Sequence, residues 1–268
     1  MVRNLLAVAM CALVCAGCPG PPAVDSQEAY ADPGSGKAEG SGGLDHSTFD
    51  ALLRRIVRDG GVDYAALAAD PAPLDAYLET LAAADFEALS RDGKLALLIN
   101  AYNAFTLRLI VDHYPLDSIK DIPDAERWKA VRWSLLGTQL SLDSLEHEYL
   151  RAKFEEPRIH FAINCASVGC PPLRAEAYTP ERLEAQLEEQ TQVIHSRPTW
   201  LRFDAEANAL ELTKLYSWFS GDFEQAAGSV LEFVARYAPQ VAERLAAGEP
   251  PAVSYMDYDW SLNAAPAK

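Results

Sequence analysis

The sequence predicts an α+β fold, a single and mainly helical domain with a central buried helix and a small antiparallel sheet. Three observations favour this class. Apolar residues recur at helical spacing near both ends of the domain, residues 92–113 are apolar almost all round, and two short segments in the middle each surround a turn signal. Because paired strands that follow each other along the chain form hairpins, and helices dominate elsewhere, the class is α+β.

The first three predicted helices lie in the N-terminal half of the domain. Residues 46–58 and 74–81 carry apolar side chains three and four positions apart. The third and longest helix, residues 92–113, stops before Pro115, because proline cannot continue a helix. A helix that is apolar on all sides is buried, so we expect residues 92–113 to lie at the centre of the domain.

The middle of the chain is predicted to contain strands. KAVRWSLLGTQLSL (129–142) favours a hairpin around Gly137-Thr138, and TWLRFDAEANALELT (199–213) favours a second one across residues 204–208. RIHFAIN (158–164) is apolar and short enough to be a buried strand.

Further helices are predicted between and after these strands. Ser141 can cap a helix that runs from Leu142 to about Lys153. Thr179-Pro180 has the cap-then-proline pattern of a helix start. Helices return over residues 228–247, with a break near Pro239.

The first eighteen residues, MVRNLLAVAMCALVCAGC, have the layout of an export signal. Arg3 supplies a positive start, and the apolar run over residues 5–14 is too short to span a bilayer. The ending CAGC resembles the lipobox of bacterial lipoproteins, in which the last cysteine is acylated. The resemblance implies that residues 1–18 are a lipoprotein signal peptide and that Cys18 anchors the mature protein to a membrane; the alternative is a plain secretory signal.

Residues 19–43 are predicted to be a disordered linker. They are rich in Pro, Gly, Ser and Ala, with Val24 and Tyr30 as the large apolar residues, so they bury too little surface to offset the entropy of ordering. Residues 44–263 then form the single globular domain, and residues 264–268 form a tail. The expected location is the bacterial cell envelope, with the domain outside the cytoplasm.

The charge of the chain restricts its partners. The formal net charge of −16 makes nucleic acid and anionic lipid surfaces poor partners. We therefore expect membrane contact only through the N-terminal lipid, and a small-molecule or peptide-like ligand in the domain. No cofactor and no metal ion are expected, and the sequence leaves the oligomeric state open.

Two cysteines stand together in HFAINCASVGCPPL (160–173), and no other cysteine lies beyond Cys18. An exported protein meets oxidants, so Cys165 and Cys170 could close a small disulfide loop. Cys165 could instead be a reactive thiol, because a neighbouring histidine lowers the pKa of a cysteine. A metal site is the third alternative, although the C-x₄-C spacing lies outside the usual zinc pattern.

Polar residues in otherwise apolar segments supply the other candidates. Asn100 and Asn103 lie three apart in the predicted buried helix, where unpaired amides would be costly; they either tie loops to the helix or line a pocket. If 158–164 is a strand, His160 and Asn164 share the face opposite Ile159, next to the cysteines. The simpler interpretation of Glu146 is a solvated carboxylate in the first turn of a helix, and that of His147 is a surface or core histidine whose hydrogen bonds are satisfied.

Four motifs together resemble the family called domain of unknown function 547. They are LLINAYNAFTL (97–107), LSLDSLEHEYLR (140–151), RIHFAINCASVGCPPL (158–173) and YDWSLN (258–263). The resemblance implies that ten residues occupy signature positions of the family: Asn100, Asn103, Glu146, His147, His160, Asn164, Cys165, Ser167, Cys170 and Pro171. Members of that family also occur inside cells, where structural disulfides are rare. The resemblance therefore favours a working thiol.

Two functions remain open at this point. The first is a thiol-dependent hydrolase or transferase in which Cys165 is the nucleophile, and either His160 or His147 is the base. Glu146 or Asn100 would orient that base, backbone N–H groups of residues 166–169 would stabilise an oxyanion, and four further signature residues, Asn103, Asn164, Ser167 and Cys170, would line the substrate site. The alternative is a non-catalytic lipoprotein that binds a ligand or partner, with a structural Cys165–Cys170 disulfide.

Overall fold

Helices form most of the protein. The computed structural model describes residues 43–266, and within this range the structure is about 52% helical. The helices are α1 (Ser47–Ile56), α2 (Tyr64–Ala69), α3 (Ala72–Ala82), α4 (Arg91–His113), α5 (Asp124–Arg127), α6 (Leu142–Ser144), α7 (Ile159–Ala162), α8 (Leu183–Ser196), α9 (Leu215–Trp218), α10 (Ser220–Ala227), α11 (Val230–Ala235) and α12 (Pro239–Ala246). Short 3₁₀ turns lie at Phe86–Ala88 and Ile119–Asp121, and a π-helical turn at Leu145–Arg151 continues α6.

The strands form three small sheets within the described range. They are β1 (Val57–Arg58), β2 (Gly61–Val62), β3 (Trp133–Leu135), β4 (Thr138–Leu140), β5 (Leu201–Asp204), β6 (Ala209–Leu212) and β7 (Ala252–Tyr255). β1–β2, β3–β4 and β5–β6 are antiparallel pairs, and β7 adds to β6 in parallel. The α+β class is confirmed, and so are both predicted hairpins. The parallel strand β7 is a feature that the sequence reading did not include.

Helix α4 is the centre of the domain, as predicted. The Ser90 side chain caps its first turn by accepting a hydrogen bond from the Gly93 amide, and the helix ends at His113, shortly before Pro115. Its length and its mean hydropathy of 1.3 are sufficient to cross a membrane, but 83% of its most apolar window is buried inside the protein. The apolar surface of α4 is therefore explained by packing inside the protein.

The short helix α7 lies between two apolar cores. The larger core surrounds α4 and includes Ile159 and Ala162, whereas the smaller core includes Phe161 and is built from α8 to α12 with β5 and β6. The prediction of a strand at 158–164 is wrong, because residues Ile159–Ala162 form a helical turn. An apolar run buried on both sides has no periodicity that separates strand from helix, and here α7 packs against α8 rather than beside another strand.

The helix after Ser141 changes its winding. Ser141 and Ser144 form a reciprocal capping box, so the predicted cap is confirmed. However, the helix widens into a π-helical turn over Leu145–Arg151. Such turns are rare and often occur at functional sites, and this one contains both Glu146 and His147.

Other boundaries differ from the predicted ones. The helix predicted from Thr179-Pro180 begins at Leu183, because residues 179–182 form a turn first. The helices predicted over residues 228–247 are present as α11 and α12, but α9 and α10 precede them unpredicted. The signal peptide 1–18 with Cys18, residues 19–42 of the linker and the last two residues lie outside the described residues.

The C-terminal segment, residues 256–265, runs back across the cysteine loop, residues 164–172. Val168 donates its amide to the Ser261 carbonyl at 2.9 Å, and Gly169 donates to the Asp259 carbonyl at 2.8 Å. A Cβ atom at Gly169 would lie only 3.0 Å from the Asp259 nitrogen, so glycine permits this close approach. Further along, the Ala265 amide donates to the Val62 carbonyl, and the backbone therefore stays attached to the domain beyond residue 263.

Candidate functional site

A sharp turn follows α7 and presents the first cysteine. Ala166 is fully buried and has a φ of +60°, a left-handed conformation that is uncommon for a residue with a side chain. Strained backbone of this kind persists only where the surrounding structure enforces it, and it concentrates at functional sites. The turn leaves Cys165 partly exposed, while Cys170 is buried.

Side-chain amides hold this turn in place. Asn164 donates its side-chain amide to the Pro171 carbonyl at 2.8 Å, and its oxygen accepts from the Ala166 amide at 2.8 Å and from the Asn263 side chain at 3.1 Å. Asn103 in α4 accepts from the Asn164 backbone amide at 2.8 Å. Asn103 and Asn164 thus position the loop, and neither lines the pocket described below.

Asn100 has a similar structural task elsewhere. Both ends of its buried side-chain amide bond the backbone of Tyr178: it donates to the carbonyl at 2.8 Å and accepts from the amide at 2.9 Å. This accounts for a polar residue in the core helix. The structure does not bring Asn100 to the pocket, so the predicted role in orienting a catalytic base has no geometric support.

The two cysteines are free thiols in mutual contact. The Cys165 amide donates to the Cys170 sulfur at 3.0 Å, and the Cys165 sulfur lies 3.1 Å from both Ser167 Oγ and Tyr258 Oη. Burial opposes ionisation of Cys170, but hydrogen bonds from the Cys165 thiol, the Tyr258 hydroxyl, the Cys165 amide and the Ser167 hydroxyl outweigh it and lower its pKa to about 7.

Cys165 shows the opposite shift. Its thiol hydrogen-bonds to Cys170, and this bond together with burial raises the pKa of Cys165 well above the ordinary value. The pair therefore shares one negative charge near neutral pH, held first on Cys170. Among the described residues, no histidine hydrogen-bonds to Cys165. The expected activation by His147 or His160 is thus not the arrangement that the structure shows.

The loop needs no disulfide to hold its shape, because amide side chains and the C-terminal segment already fix it. In the part of the chain that the structure describes, there is also no group of three or more His, Cys, Asp or Glu side chains that could hold a metal ion. The loop presents two neighbouring free thiols.

A cavity of about 260 Å³ opens beside the thiols. Five of the residues singled out from the sequence converge on it: Cys165, Cys170, Glu146, His147 and His160. Its other walls are mainly aromatic. The cavity thus combines apolar walls with a few titratable groups, which is the usual composition of a binding or active site.

His160 is held by a carboxylate that the sequence reading did not identify. Its Nε2 donates to Asp222 Oδ2 at 2.7 Å, and Arg151 binds the same carboxylate through two hydrogen bonds of 2.7 and 2.8 Å. The imidazole stacks on Phe219 with ring centroids 3.8 Å apart. Because Nε2 carries the proton, Nδ1 is an acceptor, and this buried atom has no hydrogen-bond partner among the described residues.

Electrostatics keep this imidazole neutral. Burial lowers the pKa of His160, although the Asp222 carboxylate opposes that shift. Burial also opposes ionisation of Asp222, but the bonds from Arg151 and His160 hold its pKa well below the usual range. A neutral imidazole beside a fixed carboxylate is the arrangement of a general base.

Glu146 and His147 occupy different environments in the π-helical turn. Glu146 is partly buried and accepts a hydrogen bond from Tyr102 at 3.1 Å; burial raises the pKa of its carboxyl group. The His147 side chain is 41% exposed, and its Nδ1 lies 3.0 Å from an Arg151 nitrogen. Glu146 therefore faces the thiols as a potential acid, whereas His147 lies at the rim.

The predicted oxyanion site in residues 166–169 is wrong for three of its four amides. The Ala166 amide donates to Asn164, and those of Val168 and Gly169 donate to the C-terminal segment. These amides hold the loop against that segment and cannot also bind a substrate oxygen. The hydroxyl groups of Ser167 and Tyr258 lie 3.0 Å apart, and each lies 3.1 Å from the Cys165 sulfur. They are therefore polar groups that lie directly beside that sulfur.

The site also includes residues that the sequence reading missed. Asp222 lies in α10, for which no helix was predicted, so its position relative to His160 was not visible. Tyr258 belongs to the YDWSLN motif, and Tyr102 stands between Asn100 and Asn103. These tyrosines stood within motifs that had been singled out, so motif membership was the signal that could have identified them.

Fold and site together define an α+β domain with a two-thiol pocket. Residues 86–193 match the family model described as "Protein of unknown function, DUF547", and the resemblance to that family is confirmed for this segment. The matched segment contains three of the four motifs, and YDWSLN lies beyond it. No curated protein and no solved structure matches the chain.

Proposed function

We propose that the pocket catalyses thiol-dependent acyl transfer or hydrolysis, with Cys165 as the nucleophile. The observation that carries the proposal is the convergence, on one cavity, of this partly exposed thiol and the His160 imidazole that Asp222 orients. Cys170 is less suited to attack a substrate because it is only 4% exposed. The lower pKa of Cys170 instead makes it the proton acceptor closest to Cys165.

Acylation begins with proton transfer within the thiol pair. The Cys165 S–H donates to the Cys170 thiolate, so transfer of that proton leaves the negative charge on Cys165. The Cys165 sulfur then attacks the acyl carbon, and a thioester forms as the bond to the leaving group breaks. Glu146, whose raised pKa favours the protonated form, supplies the proton that the leaving group takes.

Deacylation uses the histidine. Water or another acceptor must first reach His160 Nδ1, an atom that neighbouring side chains cover. It then loses a proton to Nδ1 and attacks the thioester, which releases the Cys165 thiolate. The pair returns to its starting state when Cys165 takes back the proton from Cys170, and His160 passes its proton to Glu146, directly or through solvent. Asp222 stabilises the transient imidazolium. The net reaction exchanges the acyl leaving group for the acceptor, and every proton is accounted for.

We also propose that this site is displayed at a membrane in the bacterial envelope. The support is the N-terminal sequence: a short apolar run, the CAGC lipobox with Cys18, and a linker without apolar clusters. A single acyl chain gives only marginal membrane binding, and stable attachment takes two signals. The several acyl chains that a lipoprotein cysteine carries would be sufficient.

Reaction with 4-nitrophenyl acetate tests the enzymatic proposal. The reduced wild-type protein should release one burst of nitrophenol, and mass spectrometry should place the acetyl group on Cys165. Cys165→Ala should show no burst. His160→Gln should keep the burst but remove the acetyl group about 10²-fold more slowly, because general base catalysis contributes roughly that factor.

His113→Gln is the matched control, since His113 bonds the Leu109 carbonyl at the end of α4 and does not line the pocket. Its burst and turnover should equal those of the wild type. A wild-type burst in Cys165→Ala, or slow deacylation in His147→Gln but not in His160→Gln, would overturn the assignment. An isolated protein with a Cys165–Cys170 disulfide that forms no acetyl-cysteine after reduction would favour the non-catalytic binding protein.

A further inference from the structure

The pocket has a wall of tryptophan and tyrosine rings set at large angles to one another. Trp218 and Tyr258 have ring centroids 4.8 Å apart with planes tilted by 48°, and Tyr258 and Trp260 are 4.6 Å apart with a tilt of 51°. Trp128 meets Trp260 edge to face at 6.0 Å. Rings at these distances touch one another, so Trp128, Trp218, Tyr258 and Trp260 form one aromatic wall of the cavity, here called the cage. A quaternary ammonium group can bind against the ring faces of such a wall.

The charged groups of the pocket have mostly one sign. Asp124 and Asp143 contribute carboxylates, and the thiol pair adds a negative charge near neutral pH. Glu146, the proposed acid, is not counted among these charges. Among the lining residues that the structure describes, Lys129 is the one lysine or arginine. An anionic ligand would meet repulsion here, whereas an organic cation would be attracted both by the carboxylates and by the ring faces.

Cations of the protein itself already use some of these rings. Lys120 Nζ lies 4.0 Å from the Trp260 ring centroid, and the Arg127 guanidinium lies 4.8 Å from that of Trp128. Neither cation lines the cavity. Within residues 43–266, no lysine or arginine stacks on Trp218 or Tyr258. These two rings are therefore the ones left for a ligand.

We infer that the pocket recognises acyl substrates that carry an alkylammonium group, with the cation against the cavity side of the Trp218 and Tyr258 rings and the acyl carbon at Cys165. The inference rests on the proposed acyl transfer for the reaction, but the recognition of the cation stands on the cage and its carboxylates alone. Trp218 is 47% exposed, whereas the thiols lie deeper, so the cage lies where a substrate enters. Tyr258 contacts both Trp218 and the Cys165 sulfur and so joins the two parts of the site.

Binding of choline and of its uncharged isostere 3,3-dimethyl-1-butanol tests the inference. Calorimetric titration of the Cys165→Ser protein should show choline binding about tenfold more tightly than the alcohol, as expected for one favourable cation–π site. Trp218→Leu should abolish that preference because it removes the ring and keeps an apolar side chain. Trp218→Phe should keep most of it. Asp143→Asn should reduce it several-fold.

Glu206→Gln is the control for the loss of one negative charge, since Glu206 is exposed in the β5–β6 turn and away from the pocket. It should leave the preference unchanged. Equal binding of the two probes, or a preference that survives in Trp218→Leu, would overturn the ammonium site. A clear choline preference in a protein whose Cys165 never becomes acetylated would uphold the ammonium site and overturn the acyl-transfer proposal instead.

Discussion

Replacing Cys170 with serine should raise the pH at which Cys165 becomes reactive. In the native pair, Cys170 ionises with a pKa of about 7, against about 8.5 for an ordinary cysteine. At pH 7 about half of the pair is then thiolate, compared with about 3% of an ordinary cysteine, a ratio of roughly fifteen. The lower basicity reduces intrinsic nucleophilicity about fivefold, because the Brønsted slope is 0.4–0.5.

The net gain in alkylation rate of Cys165 at pH 7 is therefore at most about threefold, because Cys170 holds part of the charge, and this gain is too small to interpret alone. The midpoint of the pH dependence is the sharper quantity. Iodoacetamide labelling of Cys165, followed by mass spectrometry of the reduced protein between pH 5 and pH 10, should give a midpoint near 7. In Cys170→Ser the midpoint should move to about 8.5 or above, since burial opposes ionisation of Cys165.

The same measurement distinguishes the thiol pair from a cysteine–histidine pair. His160→Gln should leave the midpoint near 7, because its imidazole bonds Asp222 rather than a sulfur. Cys165→Ser serves as the control that reports labelling of the buried Cys170. If Cys170→Ser keeps a midpoint near 7 and His160→Gln raises it, the histidine activates the thiol and the proposed proton transfer to Cys170 is refuted.

Three further predictions concern stability and location. Asn100→Leu should lower the free energy of unfolding by about 1–3 kcal/mol, because it leaves the buried backbone groups of Tyr178 unpaired; equal urea denaturation of variant and parent would contradict this. Burial lowers the pKa of His195 to about 4, so below pH 6.5 the unfolded state binds a proton that the folded state does not, and stability should fall between pH 7 and pH 4. The free energy of unfolding should change by about 1.4 kcal/mol per unit of difference between the folded and unfolded pKa of His195. His195→Gln should reduce this dependence of the unfolding free energy on pH. If urea titrations of the variant show the same pH dependence as the parent, His195 is not its cause. Cys18→Ala should abolish acylation and membrane attachment, and an unaltered mature mass together with unaltered fractionation would show that Cys18 is not the anchor.

Signals from residues close together in the sequence were sufficient to predict the elements that short-range interactions determine. Helix α4 follows from its composition and from the stop before Pro115. The hairpin β3–β4 turns at Leu136 and Gly137, both with positive φ, where glycine provides the turn signal. The capping box at Ser141 likewise depends on residues only three apart.

The strand predicted at 158–164 failed for a physical reason. Ile159 and Phe161 belong to different cores, so apolar residues are required on more than one side of this segment, and alternation carries no information. A helical turn also brings the hydrogen-bond donors of the segment back to its own carbonyls, as in the bond from the Ile163 amide to the Ile159 carbonyl. A strand here would have needed a partner that this part of the fold does not offer.

The sequence predicted several of the residues that belong to the site, but not which residues contact each other in it. The sequence motifs contained Cys165, Glu146 and His160, and the structure brings all three to one cavity. What fixes their chemistry comes from far along the chain. Asp222 is 62 positions from the histidine that it binds, and Tyr258 is 93 positions from Cys165. No local periodicity links such residues.

These contacts between distant parts of the sequence determine which segments of the chain the site requires. The family match ends at residue 193, yet the carboxylate that orients His160 lies in α10 and the hydroxyl beside the thiols lies in the C-terminal segment. A chain with only the matched segment would leave His160 without Asp222 and the thiol pair without the Tyr258 donor that helps to lower the pKa of Cys170. It would also lose the carbonyl acceptors that hold Val168 and Gly169 in the cysteine loop. The matched segment therefore contains the thiols and the histidine, and residues beyond it hold these groups in their observed positions.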